Sequence, residues 1–169
     1  MHRLLTAVAA CVLLGASASP TAAERSAAKH AFAPILGSLA KSAVPVLLPG
    51  ALPGPDLINA SAQLDSAGAA GYSIELALAP DCRGATACHI GQVSGEKSDG
   101  SALKGEPLAL PLGVTGYFVA GPCGASCSDS TIQFDRNGTR YTFAEKGASK
   151  GDLREFASSI VTPAQLRAE

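Results

Sequence analysis

From Leu57 onward apolar and polar residues alternate along the chain. Ile58, Ala60, Ala62 and Leu64 are separated by Asn59, Ser61 and Gln63. After a turn of Gly and Ala, Tyr72, Ile74, Leu76 and Leu78 are separated by Ser73 and Glu75. A period of two is that of a strand with one face in the core and one in water. These two runs therefore predict an antiparallel hairpin. Further strand patterns follow through His89, Ile90 and Val93, through Leu108 to Leu112 with Pro111 interrupting, and through Gly116-Tyr117-Phe118-Val119-Ala120. The polar stretch from Glu96 to Gly105 reads as a loop.

Turn chemistry and periodicity agree best around Asn137-Gly138, the dipeptide preferred in a two-residue type I′ turn. Folding the chain about it pairs Arg136 with Thr139, Asp135 with Arg140, Phe134 with Tyr141, Gln133 with Thr142 and Ile132 with Phe143. One face then collects Ile132, Phe134, Tyr141 and Phe143, and Asp135 meets Arg140 on the other. At Leu153 the period changes. Leu153, Phe156, Ala157, Ile160 and Val161 fall at i, i+3, i+4, i+7 and i+8, the stripe of an amphipathic helix. Ser149 and Asp152 offer a capping box at its start, and Thr162-Pro163 a stop. Near the other end, Ile35, Leu36 and Leu39 predict a short helix after Pro34, and Val44-Pro45-Val46-Leu47-Leu48-Pro49 an extended or edge segment. The fold class expected is α+β: an antiparallel sheet with one C-terminal amphipathic helix on one face and a short N-terminal helix.

The first residues follow a different pattern. Met1-His2-Arg3 is a short positive stretch, Leu4 to Ala16 is uncharged and apolar, and small residues follow. That is the layout of a secretory signal, and the apolar run is too short for the ~20 residues that span a bilayer. Cleavage sites are offered at Ala16-Ser17-Ala18 and at Thr21-Ala22-Ala23. The second is favoured because Pro20 crowds the first. The expected division is a signal over residues 1–23, a lead-in with a short helix over 24–43, one domain over 44–162 and a tail over 163–169. Cys11, in a loose imitation of a lipoprotein box, would split the apolar run if cut there and is expected to leave with the signal.

Four cysteines remain: Cys82, Cys88, Cys123 and Cys127. An even count in an exported chain reads as two disulfides. Three pairings are open, and proximity favours Cys82–Cys88 and Cys123–Cys127. Zinc ligands prefer cysteine pairs two to four residues apart. Here five residues intervene in one pair and three in the other, and an oxidising compartment turns unligated thiols into disulfides, so no metal site or cofactor is expected.

Composition narrows the function. Thirteen Lys and Arg against fourteen Asp and Glu leave a net charge of −1, without the basic surplus that a nucleic acid demands. Aromatic residues are 5% with no Trp, too few for base-stacking platforms. No catalytic set is assembled by any local motif. Gly124-Ala125-Ser126-Cys127 is not a nucleophile elbow, and Gly113 to Gly116 lacks the Lys of a phosphate loop. His89, after the first cysteine loop, is the one candidate general base, and His30 lies in the lead-in. Asp81, Asp99 and Asp129 read as loop acids that bond their own backbone.

The segment Gly116-Tyr117-Phe118, Cys123-Gly124-Ala125-Ser126-Cys127-Ser128 and Ile132-x-Phe134, with Val44 to Pro49 and Asp81-Cys82 to Ala87-Cys88, resembles a family of exported bacterial proteins with paired cysteine loops. The resemblance implies compartment and fold and carries no activity with it. The resulting expectation is a periplasmic or extracellular, non-enzymatic binding domain, monomeric, with a protein or small-molecule ligand. Its candidate binding residues are His89, Tyr117, Gly124, Ala125 and Ser126. Two alternatives stand beside it: a small hydrolase using His89 with a loop acid, and an inhibitor of an exported enzyme that uses the Cys123–Cys127 loop as its wedge.

Overall fold

The computed structural model describes residues 19–52, 57–82 and 86–168. Two helices open the described residues, α1 (Ala22–Phe32) and α2 (Leu36–Leu39). A short strand β1 (Leu48–Pro49) and a 3₁₀ turn over Leu57–Asn59 follow. The strands β2 (Ser61–Gly68), β3 (Gly71–Ala77), β4 (His89–Lys97), β5 (Glu106–Leu110), β6 (Val114–Val119), β7 (Asp129–Arg136) and β8 (Thr139–Lys146) make the sheet. The chain closes with α3 (Lys150–Ser158), β9 (Ile160–Val161) and α4 (Pro163–Ala168).

All seven strands of the main sheet are antiparallel to their neighbours, in the order β2-β3-β4-β8-β7-β6-β5. The 137–138 hairpin has the expected register, from Arg136↔Thr139 through Ile132↔Phe143. Asn137 at φ 51° and Gly138 at φ 75° supply the positive torsions that its turn needs. Inward-facing residues, among them Tyr72, Ile74, Leu76, Val93, Ile132, Phe134, Tyr141 and Phe143, share one core with Phe32, Leu36 and Leu39 of the opening helices. Leu153 and Phe156 of α3 and Leu166 of α4 belong to the same core. The helices therefore lie on one face. The other face carries half-buried polar groups such as Ser73, Gln92, Gln133 and Thr142, linked by Gln92–Ser73 and Gln133–Thr142 hydrogen bonds.

A glycine shapes the centre of this core. Gly95 of β4 stands between Tyr72 of β3 and Tyr141 of β8, and a Cβ there would fall 2.5 Å from the Tyr72 ring. The space lets both phenols reach past the sheet. Tyr72 donates to the Leu47 carbonyl at 2.6 Å, and Tyr141 donates to that of Pro45 at 2.9 Å. The Pro-bracketed segment is thus an extended strip pinned on the core by two hydroxyls. Burial drives the Tyr72 phenol far above its usual range, so it stays a neutral donor.

Several elements depart from the sequence reading. The Ala-rich lead-in is an eleven-residue helix with a full capping box, Thr21 to Glu24. The stripe read as one helix divides: α3 ends at Ser158, and Ile160 and Val161 turn into β9, which pairs with β1. Pro163 starts a helix rather than following one, and its missing N–H costs nothing at that position. Ile58 falls in the 3₁₀ turn and is exposed, outside the alternation of β2. β4 continues through Lys97 into the stretch read as loop.

Candidate functional site

Because every strand runs antiparallel to its neighbours in the sheet, the β3–β4 and β6–β7 connections leave it at the same end. These are the two cysteine loops. Cys82 is bonded to Cys88 and Cys123 to Cys127, with Cα separations of 5.6 and 4.0 Å. The second loop is tight: Gly124 N–H donates to the Ser126 carbonyl, and Ser128 N–H to that of Pro122. It is also docked, since Gly147 N–H donates to the Ser128 carbonyl. Gly124, Ala125 and Ser126 form its exposed tip.

His89, the first residue of β4, stands between the clasps. Its Nε2 is 2.8 Å from Asp129 Oδ2 at the start of β7, and its Nδ1 is 3.3 Å from Glu75 Oε1 on β3. Lys146, at the end of β8, donates to the Thr86 carbonyl in the first loop at 2.9 Å. Side chains from β3, β4, β7 and β8 therefore tie the two loops to one platform. Burial pulls the imidazole towards neutrality. The hydrogen bonds and charges of Asp129, and then of Glu75, outweigh it and raise the His89 pKa above 6.5. Asp129 is accordingly a histidine partner. Of the loop acids, Asp99 does bond its own loop backbone, at Ser101 N–H.

The arrangement limits the chemistry. A general base needs a free ring lone pair, and both nitrogens of His89 face carboxylates. Each carboxylate meets a different ring nitrogen. Among the described residues no group of three or more His, Cys, Asp and Glu side chains is arranged to hold a metal ion. Two large apolar residues, Leu78 beyond β3 and Val119 at the end of β6, are 50% and 46% exposed at this same end.

Tyr117 is not brought to the clasps. It lies along β6 opposite Gln133 and lines a separate groove of about 410 Å³ with Thr115, Asp135 and Ser101. That groove runs beside the 98–105 segment, a strap that leaves β4 and reaches β5 at the far edge. Arg140 holds the strap down. Its guanidinium pairs with Asp135 at 3.0 Å and with Asp99 at 3.3 Å, and donates to the Ser101 carbonyl at 2.6 Å. The Arg140 hydrogen bonds keep the Asp135 carboxyl below its usual range. A second cavity, about 600 Å³, lies between Ser19-Pro20, Leu110-Pro111 and the Arg154–Ser159 face of α3.

The clustering of loops was hidden in the sequence, because Asp129 is forty residues from His89. The signal available was one of register: the strong hairpin places Asp129 opposite Lys146 once it is extended. No helix among the described residues is long and apolar enough to cross a membrane. No family model, curated protein or solved structure matches the chain.

Proposed function

We propose that the chain is an exported binding domain that recognises a protein partner through the clasped end of its sheet. The observation that carries this reading is the convergence of both disulfide loops on one end, joined through His89–Asp129 and Lys146–Thr86. Export is supported by the amino-terminal pattern of charge, apolar run and small residues, and by the paired cysteines. A protein suits the surface better than a small molecule. Its loops are exposed, Leu78 and Val119 stand out beside them, and both described cavities lie elsewhere. Rigid loops also lose little conformational entropy on binding. Tethering by His89 serves to orient the loops. The hydrolase reading lacks a free imidazole nitrogen.

The experiment is site-specific photocrosslinking in exporting cells. A photoreactive residue at Ala125 or Leu78 is expected to yield a discrete protein adduct, and one at Lys97, at the opposite end of the sheet, is not. An adduct from Lys97 alone, or none from either clasp position, overturns the reading. If the adduct is an enzyme whose turnover falls on binding, the partner is a target and the domain an inhibitor.

A further inference from the structure

Two cleavage sites are written into the amino-terminal stretch, and the fold discriminates between them. Thr21, extended at φ −71° and ψ 162°, is the N-cap of α1. Its hydroxyl accepts from Glu24 N–H at 3.2 Å, and its own N–H donates to Glu24 Oε2 at 2.7 Å. The Arg25 guanidinium donates to the Pro20 carbonyl, and Leu52 N–H donates to that of Glu24. Ser19 and Pro20 also wall the cavity against α3. Ala28, Ala31 and Phe32 bury the other face of the same helix.

We propose that the leader is removed after Ala18, so that the mature chain begins Ser19-Pro20-Thr21. The inference rests on the export reading above. A cut after Ala23 would discard Thr21, the partner in both halves of the capping box, with Ala22 and Ala23 of the helix itself. It would leave Glu24 carrying a new ammonium group at the positive end of the helix dipole, where a cation is repelled. It would also remove two residues of the cavity wall. A cut after Ala18 keeps every one of these contacts. The earlier site has Ala at both the first and third positions before the cut, where the later one has Thr at the third. Access points the same way. A leader peptidase works on extended chain, and Ala22-Ala23 are withdrawn into the first turn once α1 forms, whereas Ser19 and Pro20 lie ahead of its N-cap. Pro20, the second residue after the cut, lies beyond the scissile bond and contributes its carbonyl to Arg25.

The test is to express the full chain in an exporting bacterium and to read the exported product by intact mass and amino-terminal sequencing. A Ser19 terminus is expected. Ala18→Asp should block processing, and Ala23→Asp should leave it unchanged. An exported chain beginning at Glu24, or the reverse response of the two variants, overturns this inference and leaves export standing. An uncut chain retained in the cytoplasm overturns both. As an independent check, a chain made to start at Ser19 should melt about 3 °C above one made to start at Glu24. Equal melting temperatures would remove the structural reason for the earlier cut.

Discussion

Both ring nitrogens of His89 are engaged by carboxylates, and this gives its charge a direction. A histidine whose pKa is higher folded than unfolded adds stability that is complete below the unfolded value near 6.5. That contribution is lost as pH rises through the folded value. The urea midpoint is therefore expected to decline as pH climbs from about 6.5, and His89→Gln should abolish the decline. A wild-type midpoint that is flat or rises over that interval would show the tie to be uncharged. The sign is opposite at Asp135, whose lowered pKa gives stability above the unfolded value that is lost in acid. Arg140 matters to its strap in the same way. Arg140→Ala should cost about 1 kcal/mol and raise amide exchange in residues 98–104 roughly fivefold. Unchanged exchange would mean that the strap is held by other contacts.

Among elements, legibility tracked how many independent signals agreed. The 129–146 hairpin was readable because turn chemistry, alternation and cross-strand pairs all pointed to one register. α1 was not, since its buried face is Ala28, Ala31 and Phe32 and two of those carry little hydrophobic signal. The division of the last helix was hidden for a different reason. Ile160 and Val161 continue the helical stripe, and only their pairing with Pro49 and Leu48, 111 and 113 positions earlier, makes them a strand. At the candidate site, the cysteine pairing was readable from spacing, but the meeting of His89 with Asp129 needed the order β4-β8-β7. Gly95 offers a test of the core between the strands. Gly95→Ala should cost about 1–3 kcal/mol, because its Cβ would displace the Tyr72 ring. A neutral effect would mean that the phenols do not hold the 45–47 strip.

For the whole molecule, the clasps are accessories of shape more than of stability. Each closes a short loop, so reduction should remove only about 2 kcal/mol per bridge and leave a folded domain, measurable by urea titration with and without reductant. Complete unfolding on reduction would contradict that. The core carries the larger share: Phe143→Ala should cost about 3–5 kcal/mol, since its ring is fully buried against Phe134 and Phe156.

The small β1–β9 sheet has a further consequence in time. Leu48 waits for Val161, and β4, in the middle of the main sheet, waits for β8, more than forty residues later. A chain that emerges amino-terminus first can complete the second pairing only when β8 has appeared, and the first only when Val161 has. Its core stays open until both partners arrive, which is the condition that the export proposed above would need for threading through a narrow channel.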